Sequence, residues 1–464
     1  MKTLVLSGSI RSKQKNVDVI NSFANKAVDI EDYRHLCHEH IQQKSPICNS
    51  DILSGAVSLG MRQRGAKADI FPLLSLFPRY EKNVLSDANH IIDPHLASTA
   101  TLDLDLNKTN ALKKSLSGYE GIVLVTPVYF GDRSSVANKF MQLSGINDLL
   151  RGKVFGAVAV GAKRNGGQET AVIYCLLEAL SQGSVIVGNG PPTSQYGGTA
   201  IGGHKGTVVN DEWGLQTAFG TGERVAHASR LVYEGDRDRE DIPIRILILI
   251  TMDNNKSLLL NFLKKSLERL RSQFSFPVDF QLINVLDHTI YRCLGCDTCT
   301  AGGKLKPGQT PSAKQYGECI IQNPEDAMHK LHMEMLKADG IIIAGLNVKE
   351  HKKLIYRYQV LIERTRFIRR NHFELSDKLL TAFSLNHVGA RINNIHDIKT
   401  ITSYIRHNVI ISRPIEAFIF DGQTLEDGSS DFLNFVRWAS ILKKGHSIVP
   451  KHVVEYTTNG IGGY

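Results

Sequence analysis

Three cysteines stand at even intervals in "YRCLGCDTCT" (291–300), namely Cys293, Cys296 and Cys299, and Cys319 follows after nineteen further residues. Soft sulfur donors spaced in this way can ligate a metal ion or an iron–sulfur cluster. They can also work as a thiol pair through Cys293 and Cys296, or stand unligated in a loop. Spacing alone does not separate these chemistries. A second set of residues with chemical potential lies in the amino-terminal half, in "SGSIR" (7–11), "TPVYFGDRSS" (126–135) and "GAKRNGGQET" (161–170). Gly8 allows a tight turn, Ser9 offers a hydroxyl and Arg11 a guanidinium fork that matches phosphate. The segment Thr126 to Gly131 presents a hydroxyl and two aromatic rings after a rigid proline. Gly166 and Gly167 let backbone approach a flat ring, with Lys163 and Arg164 near enough to stabilise negative charge on it.

Such residues need a scaffold, and the apolar runs supply one. "TLVLSGS", "ADIFPLL" (68–74), "GIVLVTPVYF" (121–130), "VFGAVAVGA" (154–162) and "SVIVGNG" (184–190) read as strands separated by helical stretches. After an acidic–basic linker, "EGDRDREDIP" (234–243), the series restarts with "IRILILIT" (244–251), "VDFQLINV" (278–285), "GIIIAGL" (340–346), "LLTAFSLNHVGA" (379–390) and "NVIISRP" (408–414). Continuous β-branched runs alternating with helices predict parallel strands buried on both faces. Five per half predicts α/β architecture, with two tandem flavodoxin-like doubly wound five-stranded parallel sheets. "YEGIVLVTP" echoes "ADGIIIAGL", "VGAKRN" (160–165) echoes "VGARIN" (388–393), and "SVIVGNGPP" echoes "NVIISRP". Three echoes in the same order read as an internal duplication. The expected domains are residues 1–233 and 244–450, the second carrying the cysteine loop at 290–325.

In such sheets ligands bind beyond the carboxyl ends of the strands, where the strand order reverses, and a helix N-terminus aims its amides at an anion. Two helices compete for that role after "SGSIR". The one beginning at Asn49 runs straight into the second strand, with Asn49 or Ser50 as its cap, so residues of about 12–47 read as an insertion that acts as a lid. The insertion holds His35, Cys37, His38, His40 and Cys48. Zinc is the ligand such residues suggest, but without a second paired motif the segment reads as unligated. Cys175, in the apolar "AVIYCLLEAL", reads as a core thiol.

Composition bounds the rest. A chain of 464 residues with 42% apolar and 22% charged residues is a globular protein of two or three domains. No apolar run reaches the roughly 20 residues that cross a bilayer. "MKTLVLSGSIRSK" has a basic start but no long apolar core or small-residue cleavage site, so it reads as a first strand, not a secretory signal. A cytoplasmic location is expected, where clustered thiols stay reduced. The net charge of +9 favours phosphate-bearing ligands, and the basic "ERTRFIRRNHFE" (363–374) reads as a solvated helix face, not a nucleic-acid site.

"SGSIR…NSDIL", "TPVYFGDRSS" and "GAKRNGGQET" resemble the three FMN-contacting loops of the NADPH-dependent FMN reductase and flavodoxin-like NAD(P)H:quinone reductase superfamily. "YGGTAIGGHKG" (196–206), followed by "ERVAHASRLV", resembles its later loop and last helix. The resemblance covers most of residues 1–232. It implies that Ser9, Arg11, Asn49 and Ser50 hold the FMN phosphate, that Pro127, Val128, Tyr129, Phe130 and Gly131 line the isoalloxazine, and that Lys163, Gly166 and Gly167 lie at its pyrimidine side. His204 matches a substrate-facing position only loosely.

The second half keeps the strands but departs from those loops, with "TMDNNKS" (251–257), "GLNVKEH" (345–351) and "ARINNIHD" in their places, so its flavin site reads as degenerate. "CLGCDTCT…GECIIQNPEDAM" resembles the cysteine motif of the iron–sulfur flavoproteins, with Gly317, Cys319, Ile320 and Asp326 in register. That resemblance implies a [4Fe–4S] cluster on Cys293, Cys296, Cys299 and Cys319. Zinc remains the rival, and a thiol switch the third reading. The expected function is FMN-dependent NAD(P)H oxidoreduction, passing electrons to a quinone, another small acceptor or a redox partner protein. The alternatives are a non-enzymatic electron carrier or redox sensor, or a flavin-only reductase with a structural metal. No catalytic side chain is named, and oligomeric state stays open, a homo-oligomer included.

Overall fold

The computed structural model describes residues 1–43, 47–77, 105–146, 148–190, 194–238, 240–254, 257–296, 299, 319–347, 352–370, 372–388, 395–420 and 423–450. The chain divides into two compact units, Met1–Arg230 and Leu231–Tyr464.

In the first unit the strands are β1 (Lys2–Ser7), β2 (Lys67–Pro72), β3 (Gly121–Tyr129), β4 (Val154–Gly161) and β5 (Val185–Ile186), in the spatial order β2-β1-β3-β4-β5. All neighbours pair in parallel. The five residues after Lys2, the first six of β3 and all eight of β4 are buried, as strands covered on both faces require. The fifth strand is shorter than its apolar run suggests. β5 pairs only with Val154 and Phe155, and the chain re-enters the sheet as β6 (Gly198–Ile201), which pairs with β4 from Val158 to Gly161. Gly188, Gly190 and Gly197, between the two pieces, weaken a continuous ladder.

Helices α1 (Gln14–Lys26), α2 (Ile30–Gln43) and α3 (Asn49–Gln63) follow β1. α3 is the sheet-packing helix, buried from Ser50 to Met61. α1 and α2 pack onto it where Gly55 has no side chain: a Cβ there would lie 2.0 Å from the Tyr33 hydroxyl and 2.3 Å from Ile20. The Tyr33 hydroxyl donates to the Ile52 carbonyl at 2.7 Å. The expected insertion is thus a helical layer packed on α3. Its Cys37 and Cys48 are buried, and burial pushes the Cys37 thiol up to about 12. The unit continues with α4 (Leu106–Leu116), α5 (Ser135–Ile146), α6 (Gln168–Ser181) and α7 (Glu212–Arg237), and the boundary between units falls within α7. α7 crosses α3 closely enough that a Cβ on Gly222 would meet the Val57 carbonyl at 2.0 Å.

The second unit repeats the plan. β7 (Ile244–Met252), β8 (Val278–Asn284), β9 (Gly340–Asn347), β10 (Leu379–His387) and β11 (Ile410–Ile411) lie in the order β8-β7-β9-β10-β11, all parallel. It repeats the break as well, because β12 (Ile415–Phe420) pairs with the second half of β10, and β13 (Gln423–Glu426) returns antiparallel to β12. Its helices are α8 (Leu258–Arg271), α9 (Met328–Lys337), α10 (Lys352–Arg364), α11 (Arg366–Arg370), α12 (Ile395–Tyr404) and α13 (Ser429–Ile448). Residues 255–256, 297–298, 300–318, 348–351 and 389–393 lie outside the described residues, and with them much of the cysteine excursion including Gly317 and the "VGARIN" echo. No helix among the described residues is long and apolar enough to cross a membrane.

Candidate functional site

The turn after β1 is built around a buried carboxylate. Ser7 and Ser12 both donate to Asp51 Oδ1, at 2.8 and 2.5 Å, so the first turn of α3 holds both ends of the loop. Within it the Arg11 amide donates to Ser9 Oγ at 3.1 Å, and the Arg11 side chain stays exposed while Ser9 is buried. Gly8 is required by crowding, since a Cβ would lie 2.9 Å from that of Ala137. Burial pushes the Asp51 carboxyl up to about 6, while hydrogen bonds from Ser12, Cys48 and Ser7 pull the other way.

Asn49 does something different from the sequence expectation. Its Nδ2 donates to the carbonyls of Gly202 (2.9 Å) and His204 (2.8 Å), and the Val208 amide donates to its Oδ1 at 3.3 Å. The side chain is therefore committed to clamping the 202–208 loop, and Cys48, not Asn49 or Ser50, stands at the N-cap of α3. Ser50 is buried in the first turn, and His204 is exposed.

β3 leaves the sheet through a two-residue turn, with Val128 opposite Arg133 and Tyr129 opposite Asp132. Phe130 and Gly131 both have positive φ, 52° and 79°, as a type I′ turn requires. A phenylalanine held there is strained, and its ring is fully exposed, with Tyr129 half-exposed beside it. The turn meets the glycine loop directly. Gly167 has φ 95°, and a Cβ there would lie 2.6 Å from Gly131 Cα. Gln168 then ties that loop down, donating to the carbonyls of Lys163 (2.8 Å) and Ala200 (3.2 Å). Ser134 closes the ring of loops, its hydroxyl donating to the Gly8 carbonyl and its amide to Thr126 Oγ1 at 3.0 Å. The loops after β1, β3 and β4 are thus interlocked, with a serine–arginine turn, two outward aromatics and a bare glycine pair along one sheet edge. That edge can take a phosphate at one end and a flat ring at the other.

In the second unit the corresponding edge is filled from within. Asp253, buried after β7, accepts from the amides of Leu259 and Leu260 through its two oxygens, each at 3.0 Å. A carboxylate of the chain occupies the N-terminus of α8, where a phosphate would otherwise be drawn. A Cβ on Gly345 would lie 2.6 Å from the buried His396 ring, so that crevice holds side chains as well.

The four cysteines come together elsewhere in this unit. Cys293, Cys296, Cys299 and Cys319 line one cavity with Arg364 and Phe367. Cys299 is buried and the other three are partly exposed. The ends of the loop are pinned by Asp326, which pairs with the buried Arg364 at 2.7 Å and accepts the Tyr291 amide at 3.3 Å. Arg364 also donates to the Tyr291 carbonyl at 2.8 Å. Among the described residues no three His, Cys, Asp or Glu side chains already stand in a metal-holding arrangement. The donor set itself, four thiols on one cavity, suits a soft metal or cluster.

The NADPH-dependent FMN reductase family matches residues 1–189. An iron–sulfur flavoprotein of Methanocaldococcus jannaschii is 40% identical over 130 residues, 27% of this chain and 67% of that protein. The chain belongs to the flavodoxin-like NADPH-dependent FMN reductase family. An NAD(P)H dehydrogenase (quinone) of Rhodopseudomonas palustris is 28% identical over 197 residues, 39% of this chain and 90% of that protein. A solved WrbA-like flavodoxin from Agrobacterium tumefaciens is 19% identical, covering 39% of this chain and 90% of that one with a TM-score of 0.27. As a member of this reductase family the chain is an oxidoreductase. Sequence reasoning missed Asp51, Gln168 and Arg364, which reach partners tens of residues away in the chain, and Asp253, whose partners are the first amides of the helix that follows it. For Gln168 a signal existed, a helix-starting amide directly after paired glycines.

Proposed function

We propose that the protein is an FMN-dependent NAD(P)H oxidoreductase of the cytoplasm that reduces a quinone, another small acceptor or a redox partner protein, and that the four cysteines hold a [4Fe–4S] cluster. One observation supports this above the rest: the aromatic turn and the glycine loop touch at Gly131 and Gly167, beside the serine–arginine turn, so closely that any side chain at Gly167 would displace Gly131. In this reading Ser9 and Arg11 bind the phosphate, backed by Asn49 and Ser50 in the first turn of α3. Asn49 contributes by fixing the 202–208 loop. Pro127, Val128, Tyr129, Phe130 and Gly131 flank the isoalloxazine and exclude water from it, while Lys163, Gly166 and Gly167 meet its pyrimidine edge. When bound, FMN supplies hydride acceptance from the nicotinamide, and the cluster supplies one-electron exchange. The chain supplies orientation and charge, with Lys163 and Arg11 favouring the anionic groups at either end of the site.

The same four thiols suit zinc, and metal analysis decides between them. Protein purified without oxygen is expected to be yellow, to release FMN, to contain iron and acid-labile sulfide, and to oxidise NAD(P)H steadily with a quinone present. Gly167→Ala is expected to weaken FMN binding about tenfold or more, roughly 1.4 kcal/mol, read by flavin fluorescence titration. A colourless wild type that takes up no added FMN sinks the flavin assignment.

A further inference from the structure

The first part of the basic stretch 363–374, expected to be a solvated face, instead forms a wall of the cysteine cavity. Arg364 is only 2% exposed, and Arg364 and Arg366 both line the cavity with the four thiols. From α11, Arg370 Nη1 reaches Cys299 Sγ at 3.4 Å. The arginines divide the work. Arg364 is committed to Asp326 and the Tyr291 carbonyl, and so joins the segments that flank the loop. Arg370 addresses a sulfur. Glu363 lines the same cavity but is exposed and accepts from Gln359 at 3.0 Å, so water and that amide weaken its opposing charge.

We propose that Arg370 is a positioning residue for the redox centre on the cysteines and raises its reduction potential. This rests on the iron–sulfur reading above. Four thiolates leave such a cluster with net negative charge, and one added electron makes it more negative. A fixed guanidinium and an N–H···S hydrogen bond both stabilise the more negative form. Arginine suits the role because it keeps its charge under all ordinary conditions. The placement beside Cys299, the buried thiol of the set, puts the interaction where solvent screens it least.

The test is a redox titration of the full-length, cluster-reconstituted protein, followed by visible absorption and electron paramagnetic resonance, with dithionite as electron source. In Arg370→Gln the cluster is expected to become harder to reduce, its reduction equilibrium falling about tenfold, and Arg370→Lys is expected to lie between this variant and wild type. Iron content and thermal unfolding confirm that each variant is loaded and folded. Where Arg370→Gln loses its iron, Arg370→Lys decides alone, a lowered potential supporting the inference and a wild-type value overturning it. An unchanged potential in loaded Arg370→Gln overturns the role of Arg370 and leaves the cluster reading intact. A reconstituted wild type without iron and sulfide overturns both.

Discussion

Asp51 shows how one residue governs the first loop. Fully buried, it accepts hydrogen bonds from Ser7 and Ser12 and joins β1, the phosphate turn and α3. Burial raises its carboxyl from 3.8 to about 6, so the folded state holds the proton more tightly than the unfolded chain does. The stabilisation from this group is complete below pH about 4 and is lost as pH rises through about 6. Above that, ionisation costs roughly 3 kcal/mol. Asp51→Asn keeps the shape and an acceptor without the charge. It is expected to flatten stability between pH 4 and pH 6 and to raise it by up to about 3 kcal/mol at pH 7. Urea unfolding of both proteins at pH 4 and pH 7 checks this, and parallel pH profiles would disprove it. The residue was invisible as a site in the sequence, since an aspartate three residues into a helix reads as ordinary first-turn charge.

Among the elements, a buried ion pair anchors the described ends of the cysteine excursion. Arg364 near the end of α10 and Asp326 before α9 are both almost wholly enclosed, and together they fix the chain at Tyr291. Removing one partner strands the other charge. Asp326→Ala is therefore expected to cost about 3–5 kcal/mol in chemical unfolding and to reduce bound metal. Retained stability and metal content would show that the loop is held by other means. The parallel strands were legible at this scale because long runs such as "GIVLV" and "IRILILIT" can only be buried on both faces. Their lengths were less legible. β5 and β11 each stop after two residues, because pairing further along β4 and β10 is taken by β6 and β12.

Over the whole molecule, two units share a strand order and the same broken fifth strand, yet their ligand edges differ. The first leaves Ser9, Arg11 and the glycine pair at its edge. The second caps α8 with Asp253 and packs His396 against Gly345. A buried carboxylate on the helix amides opposes a phosphate both by occupying the donors and by charge. One FMN per chain is therefore expected, not two, measured as released flavin against protein concentration. A ratio near two would show that Asp253 yields to phosphate.

The sequence by itself determined what depends on local pattern. Apolar runs specify parallel strands, the glycine and aromatic segments specify a turn and a close approach, and the even cysteine spacing specifies a thiol cluster. Tertiary structure alone decided which side chains were already spent. Asn49 is taken by carbonyls more than 150 residues away, Arg364 by Asp326, and Arg370 by Cys299. A hydrogen bond or ion pair between distant segments leaves no periodic trace, because it needs only two compatible groups brought within about 3 Å, and the fold rather than the local sequence sets that distance.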